Sequence, residues 1–241
     1  MPESDPIRVS SAEAPRFIRT LTDKHRRAGE HRRTAEPASG TPTDSGMPTA
    51  SGTPTDSGKP TASGTPTDSG TPTDSTASRP TFVVAIDGKS GAGKTTLAGK
   101  LEKELCEEGI AAAAIEVESF IGGWNGLIDG VEAVASRILE PVRSRGSATA
   151  RTWDWNRGAW ADEVRIPQSG PVDVLILTGC GAASAPCRPF VDVAVWVELD
   201  EERRRKRVAR REGDPGRWWL MWAEQEDLLP RSGAPDVVVA D

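Results

Sequence analysis

The residues from Gly88 to Thr95 have the types and spacing that most clearly indicate chemistry, because they satisfy the pattern G-x-x-x-x-G-K-[ST] in full. Glycines allow successive backbone N–H groups to turn inward around phosphate oxygens, since no Cβ obstructs them. A helix that begins here adds a favourable dipole for an anion. Lys94 can reach the β- and γ-phosphates of a nucleotide, and the Thr95 hydroxyl can ligate Mg²⁺. The predicted phosphate-binding residues are Gly88, Ser90, Gly91, Ala92, Gly93, Lys94, Thr95 and Thr96.

The segments on either side of this motif have the periodicities that a phosphate-binding loop requires. Residues 81–86 (TFVVAI) form a continuous apolar run, which predicts a strand buried on both faces of a parallel sheet. Residues 96–108 place Leu97, Leu101 and Leu105 four apart, which predicts an amphipathic helix. A glycine-rich turn without a ligand is the alternative interpretation. The order of strand, complete motif and helix favours the nucleotide site over that turn.

Further strands and helices follow the motif in alternation. Residues 110–117, 172–177, 191–197 and 236–240 are predicted strands, and residues 127–142 are a predicted helix. Residues 148–155 and 160–166 predict a β-hairpin around Asn156-Arg157-Gly158. This pattern predicts an α/β domain, a three-layer α/β/α P-loop NTPase fold with a mostly parallel sheet. Its ligand is expected at the carboxyl ends of the strands.

Four segments, in this order, resemble the uridine kinase-like branch of P-loop nucleoside kinases: AIDGKSGAGKTTLA, ESFIGGWNGL, WDWNRGAWADEV and WWLMWAEQEDLL. The first is common to many NTPases, whereas the Gly-Trp-x-Gly-Leu segment and the Trp-Asp-Trp hairpin are more specific. The resemblance covers nearly all of residues 81–241. It implies a kinase that uses ATP and Mg²⁺ and phosphorylates a hydroxyl of a small-molecule acceptor, nucleoside-like in the family.

The resemblance implies a catalytic carboxylate at Glu118. The family has an Asp-Ser-Phe-Tyr-like stretch there, whose Asp acts as base towards the acceptor hydroxyl, and this chain has Glu118-Ser119-Phe120-Ile121. Glutamate keeps the carboxylate on a longer arm and can also help to hold Mg²⁺, so Thr95 and Glu118 are the expected metal ligands. A second departure is Thr178-Gly179, where the family ends the strand with Glu-Gly. Loss of that acid is expected to weaken the Mg²⁺ site without abolishing it.

The acceptor and the transferred phosphoryl group each have candidate partners. Trp124 could form a wall of the acceptor pocket or belong to the core. Asp154 resembles the acid that hydrogen-bonds the acceptor sugar in the family, although plain surface exposure is an equal alternative. The arginine-rich run at residues 203–211 occupies the position of the mobile lid in this architecture. We expect Arg207 and Arg211 to contact phosphate and to act in catalysis with Lys94 and Glu118.

The N-terminal third differs in composition from the rest. From residue 41 it repeats a hexapeptide six times (TPTDSG, MPTASG, TPTDSG, KPTASG, TPTDSG, TPTDST), with no apolar position that could be buried against a neighbouring unit. We therefore expect residues 34–80 to be a disordered linker. Residues 1–33 form a polar segment in which a short basic helix could form, with only Phe17, Ile18 and Leu21 to pack. The kinase domain is predicted to span residues 81–241.

Composition excludes several classes of protein. The longest apolar runs are far shorter than the roughly 18 residues that a membrane span needs, and the formal net charge of −6 argues against nucleic acid as a partner. Three cysteines without metal spacing favour a reducing compartment, and the start of the chain lacks the pattern of a secretory signal, so a cytoplasmic protein is expected. Two alternatives stay open: a nucleotide-binding module with weak or lost activity, and a kinase for another small acceptor. The oligomeric state cannot be inferred from the sequence.

Overall fold

In the computed structural model, which describes residues 5–34, 80–214 and 216–240, the chain forms a six-stranded sheet with helices on both faces. The strands lie in the order β1-β8-β7-β2-β6-β3, and every neighbouring pair is parallel. Their bounds are Ile7–Val9 (β1), Phe82–Asp87 (β2), Ala112–Glu116 (β3), Val174–Thr178 (β6), Val193–Glu198 (β7) and Val237–Ala240 (β8). The predicted three-layer fold with a mostly parallel sheet is confirmed.

The helices fall into two groups that cover opposite faces of this sheet. Their bounds are Ala14–Thr34 (α1), Lys94–Glu107 (α2), Leu127–Val134 (α3), Glu140–Arg145 (α4), Glu201–Glu212 (α5) and Gly216–Leu228 (α6). A π-helical turn, Ala135–Leu139, joins α3 to α4, so the predicted helix over residues 127–142 extends to Arg145. One core cluster packs α1 and α2 against alternate strand residues such as Val84 and Ile86, and a second packs α3 and α4 against Val83 and Ala85.

The predicted hairpin is present as a separate two-stranded antiparallel sheet. Its strands are Ala148–Asp154 (β4) and Ala159–Ile166 (β5), with a register shift between Arg151 and Trp153. Trp153 pairs with Trp160 across the strands, and their ring centroids lie 5.3 Å apart in an edge-to-face arrangement. Such aromatic cross-strand pairs stabilise a hairpin. The hairpin therefore projects a rigid aromatic surface beside the carboxyl end of the main sheet.

The N-terminal segment lies against the same sheet as the phosphate-binding motif. β1 pairs with β8 in the register Ile7↔Val237 to Val9↔Val239, and α1 packs along α2. Ala14 and Ile18 are fully buried, with Phe17 and Leu21 partly buried beside them. Sequence analysis did not predict β1, because a three-residue strand is too short to show a periodicity. The hexapeptide repeat and its predicted disorder lie outside the described residues, and the three predicted segment boundaries stay a prediction.

Within the described part of the chain, no helix combines the length and the apolarity that crossing a membrane requires.

Replacement of Ile18 by Ala tests whether α1 is integral to the fold. The fully buried side chain lies in the core cluster with α2, so its truncation is expected to lower the free energy of unfolding by about 2–5 kcal/mol. The matched control is Thr20→Ala on the exposed side of the same helix, and urea unfolding of both full-length variants provides the comparison. Equal stability of the two variants would show that α1 does not dock on the domain.

Candidate active site

Asp87, the last residue of β2, ties the phosphate-binding loop to the loop that follows β6. Its Oδ1 accepts hydrogen bonds from Gly88 N at 2.6 Å and from Gly181 N at 2.9 Å, and its Oδ2 accepts one from Ala183 N at 2.9 Å. Burial raises the pKa of this carboxyl, while the three backbone N–H groups and the charge of Lys94 act in the opposite direction. The two loops are therefore held together by one buried side chain.

Lys94 begins α2 and is buried beneath the loop. Its Nζ donates to Lys89 O and lies equally near Cys180 Sγ, both at 3.3 Å. Burial alone would lower the pKa of Lys94, but the negative charges that surround it, among them the carboxylates of Glu118, Asp87 and Glu226, act in the opposite direction and the pKa is raised. Lys94 therefore carries its positive charge throughout the neutral range. The ammonium thus lies beside the loop backbone, and its contact with phosphate stays a prediction.

Cys180 is a member of the site that sequence analysis did not predict. Its buried thiol contacts Lys94, lies 3.5 Å from Ser90 Oγ and donates to Glu226 Oε1 at 3.1 Å. Burial raises the pKa of this thiol well above its ordinary value, so it stays neutral near pH 7. Cys180 is therefore a small packing and hydrogen-bonding group, and the carboxylates around it supply the negative charge that faces Lys94.

Glu118 lies directly after β3, in a short 3₁₀ turn, and reaches towards the same loop. Its Oε1 accepts a hydrogen bond from Cys180 N at 2.9 Å, and its backbone oxygen accepts one from Trp155 Nε1 at 3.1 Å. Gly179 makes room for it, because a Cβ at that residue would clash with Glu118 Oε2, and the φ of +146° at Gly179 also disfavours other residues. The glycine of the Thr178-Gly179 pair is therefore required for steric reasons.

Thr178 occupies the end of β6, where the resembling family has an acid. The residue is 2% exposed, and its Oγ1 has no hydrogen-bond partner among the described residues. Glu118 approaches the next two residues from β3 and brings a carboxylate to this end of the strand. The 3₁₀ turn that follows β3 therefore brings the Glu118 carboxylate close to the end of β6, where Thr178 stands instead of an acid.

Two residues that sequence analysis missed, one from α5 and one from α6, hydrogen-bond the backbone of Ser90 from both sides. Glu226 of α6 accepts from Ser90 N at 2.7 Å, and Arg204 of α5 donates to Ser90 O at 3.1 Å. Both side chains are buried, and the guanidinium of Arg204 also lies over the ring of Trp219 at 5.4 Å. Only a contact between distant segments reveals these roles, since Arg204 stands in a run of arginines and Glu226 in an acidic helix end.

The two predicted lid arginines lie beside the phosphate-binding loop. Arg207 Nη1 donates to Ala92 O at 2.9 Å, and Arg211 pairs with Glu212 through Nε at 2.9 Å. Both line a large cavity that is also lined by the phosphate-binding loop. Arg207 therefore already contacts the loop, whereas Arg211 is held at the cavity edge by a neighbouring acid.

A cavity of about 1010 Å³ contains most of the predicted site residues. Predicted residues that line it are Ser90, Gly91, Ala92, Gly93, Lys94, Thr95, Thr96, Glu118, Trp124, Arg207 and Arg211. Gly88 is not among them, since it packs against the backbone of Val197 at the back of the loop. A space of this size exceeds the usual 300–1,000 Å³ range for small-molecule sites only slightly. It can hold a nucleotide together with a second small molecule.

Tryptophans form one end of this cavity. Trp124 lies 4.8 Å from Trp218 in a stacked arrangement and 4.7 Å from Trp155, measured between ring centroids, and Trp222 meets Trp124 edge-on at 6.0 Å. All four line the cavity, and Trp124 is 41% exposed. Trp124 therefore lies in the wall of this cavity, and its contact with an acceptor stays a prediction.

Asp154 lies apart from the cavity. Its Oδ1 accepts from Asn156 N at 3.0 Å and from Arg157 N at 3.1 Å, so the side chain closes the turn of the β4–β5 hairpin. Its neighbours Trp155 and Asn156 line the cavity, but Asp154 itself does not. The structure thus assigns the carboxylate a local role in the turn, as Asp side chains commonly have.

The cavity offers oxygen ligands of the kind that Mg²⁺ prefers. The Thr95 hydroxyl at the start of α2 and the Glu118 carboxylate line the same space. Among residues 5–34, 80–214 and 216–240, no group of three or more His, Cys, Asp or Glu side chains is arranged to hold a metal. Mg²⁺ usually takes one or two carboxylates and completes its shell with water and substrate phosphates. Thr95 and Glu118 therefore fit Mg²⁺ held together with a nucleotide.

The sequence from Val84 to Asp227, which includes the whole phosphate-binding loop, all of α5 and most of α6, matches the protein family described as AAA domain. The chain belongs to this family. The match covers more than half of the chain, and it assigns the phosphate-binding loop to the AAA-domain fold rather than to an isolated motif. The resemblance to uridine kinase-like proteins therefore holds at the level of a P-loop domain. No curated protein matches the sequence.

Several solved structures are similar to this AAA-domain chain. A possible uridine kinase from Bacillus stearothermophilus is 21% identical, with a TM-score of 0.47, over 68% of this chain and 90% of that one. D-glycerate 3-kinase from Cryptococcus neoformans var. grubii is 15% identical, with a TM-score of 0.40, over 63% and 77%. Mycobacterium tuberculosis APS kinase, in complex with AMPPNP and APS, is 13% identical, with a TM-score of 0.39, over 67% and 89%. Likenesses this distant do not identify an activity or a substrate.

Replacement of Glu226 by Ala tests whether α6 supports the phosphate-binding loop. The variant loses the hydrogen bond from Ser90 N to a charged group, an interaction of about 1.5–3 kcal/mol, and the loop is no longer fixed from behind. Calorimetry is expected to show ATP binding weakened by about tenfold or more. Glu224→Ala, an exposed change on the same helix, is the control, and thermal unfolding verifies that both variants are folded. If both variants bind ATP as tightly as the parent, Glu226 does not support the loop.

Proposed function

We propose that the protein is an ATP- and Mg²⁺-dependent kinase that transfers the γ-phosphoryl group to a hydroxyl of a nucleoside-like small molecule. The observation that carries the proposal is the meeting of Lys94 and Glu118 at Cys180. Lys94 Nζ lies 3.3 Å from Cys180 Sγ, and Glu118 Oε1 accepts from Cys180 N at 2.9 Å. Both side chains also line the cavity that contains the phosphate-binding loop. A cation for phosphate and a carboxylate for an acceptor hydroxyl are the two groups that such a transfer needs.

The proposed roles follow from the groups around the cavity. The loop N–H groups and Lys94 bind the β- and γ-phosphates, and Arg207 with Arg211 neutralises charge on the transferred group. Thr95 and Glu118 would hold Mg²⁺, which when bound would offset the negative charge of the phosphates. Glu118 orients the acceptor and accepts its hydroxyl proton. The acceptor oxygen then forms the bond to the γ-phosphorus while the bond from that phosphorus to the bridging oxygen breaks, leaving ADP.

The aromatic end of the cavity supports an acceptor with a flat ring. Trp124 and Trp155 lie on the Glu118 side of the phosphate-binding loop and offer large apolar faces beside the proposed base. Stacking against such faces is tolerant of the ring chosen, since every base has a π-face. The free cysteines suit the reducing cytoplasm that we propose as the compartment.

An acceptor-panel assay tests the proposal. The full-length protein, supplied with ATP and Mg²⁺, is expected to form ADP with at least one nucleoside, and Glu118→Gln is expected to lower that rate by about 10²–10⁴-fold, the contribution typical of a general base. Binding of ATP should persist in the variant. Glu132→Gln, on the exposed surface of α3, is the control and is expected to retain the parent rate.

The same panel distinguishes the alternatives. Turnover with a sugar or a vitamin-precursor alcohol alone would replace the nucleoside with another acceptor class. ATP binding without turnover for any acceptor would favour a non-catalytic nucleotide-binding module, the alternative suggested by Thr178 at the end of β6. If Glu118→Gln turns over as fast as the parent, Glu118 is not the base.

A further inference from the structure

The large cavity extends in two directions from the phosphate-binding loop. One end lies beside β3 and contains Glu118 and Trp124, and the other lies beyond β7 and β8 and contains Leu199 and Val239. In the proposed reaction, on which this inference rests, the γ-phosphoryl group must face the acceptor on the Glu118 side. Because the β-phosphate is fixed at the loop between the two ends, the nucleoside part of ATP must lie towards β7 and β8.

The N-terminal segment supplies part of the wall at that second end. Ser11, in the turn between β1 and α1, lines the cavity together with Val239 of β8. β1 is parallel to β8 with Val9 opposite Val239, so the carboxyl end of β1 lies at the same edge of the sheet as the phosphate-binding loop. Ligands of parallel α/β sheets bind outside this edge. The turn is therefore at the edge where a nucleotide would lie.

The turn is held in a defined position by its own hydrogen bonds. Ser10 Oγ donates to Glu13 Oε2 at 2.7 Å, and Ser10 O accepts from Glu13 N at 3.2 Å and from Ala14 N at 2.9 Å. An ion pair joins Arg8 of β1 to Glu198 at the end of β7, and Glu198 also lines the cavity. A turn fixed in this way, with an exposed side chain at residue 11, can form a preorganised wall.

We propose that the β1–α1 turn forms the wall of the ATP site at the nucleoside end, so that the N-terminal segment is part of the nucleotide-binding site. In the sequence, residues 35–79 then separate two segments that contribute to the same site. The proposed ligand group is the base and ribose of a purine nucleoside triphosphate or diphosphate, which contact the turn at Ser11. The phosphates of the same ligand do not reach this turn.

The full-length variant Ser11→Trp tests whether the β1–α1 turn contacts the nucleoside or only lies near it. A tryptophan at this residue occupies space that the nucleoside would need, while it leaves the phosphate-binding loop unchanged. Calorimetry with ADP and with inorganic tripolyphosphate, each with Mg²⁺, is expected to show ADP binding weakened by about tenfold or more and tripolyphosphate binding unchanged. The matched control is Ala12→Trp, at the adjacent exposed residue that does not line the cavity, and it is expected to bind both ligands as the parent does.

Each outcome is decisive. Unchanged ADP affinity in Ser11→Trp overturns the inference while leaving the proposed function intact. Equal weakening of ADP and tripolyphosphate also overturns it, because the change would then act through the loop or the fold. Equal loss of ADP affinity in Ala12→Trp would show a general disturbance of α1 and overturn it as well. A parent protein that binds neither ligand removes the proposed function and this inference together.

Discussion

The buried carboxylate of Asp87 is the interaction on which the candidate site depends. Taking an ionised group out of water is costly, and here three backbone N–H groups and the charge of Lys94 offset part of that cost. Those N–H groups belong to two different loops, so one side chain at the end of β2 fixes the phosphate-binding loop against the loop after β6. The position of Cys180, and with it the contacts to Lys94 and Glu118, follows from this arrangement.

The helices α5 and α6 add a second constraint on the same loop. Arg204 and Glu226 hold the carbonyl and the N–H of the Ser90 peptide, and a Cβ at Gly91 would lie only 2.6 Å from Arg204 O. The loop thus has no space for a larger residue while α5 is packed against it. The loop is therefore held by both α5 and α6 as well as by Asp87.

Sequence reasoning succeeded where the signal is local. The apolar run before Gly88, the complete motif and the leucines of α2 predicted the strand, loop and helix that position Lys94, because burial on both faces and helical periodicity leave a clear pattern. Glu118 was found through resemblance, and the structure brings it to the predicted end of the sheet. These predictions depend on short segments, and tertiary packing did not overrule them.

The residues that sequence analysis missed act through contacts across the fold. Cys180 has no motif, and its role follows from burial between two acidic side chains. Glu226 and Ser90 are far apart in the chain, so no spacing rule connects them. β1 is only three residues long and gains its place by pairing with the last strand, after the intervening segment. For Asp154 the local pattern predicted the hairpin correctly, but it did not reveal that the side chain accepts hydrogen bonds from the backbone of the turn.

The central claim is that the loop from Gly88 to Thr95 binds the phosphates of a nucleotide through Lys94. Isothermal titration of the full chain with ATP and Mg²⁺ tests it most directly, in parallel with Lys94→Ala. The account predicts one binding site per chain in the parent and loss of at least about 100-fold in affinity in the variant, as expected when a buried charged contact of about 3 kcal/mol is removed. ATP binding of equal strength in both proteins would contradict it.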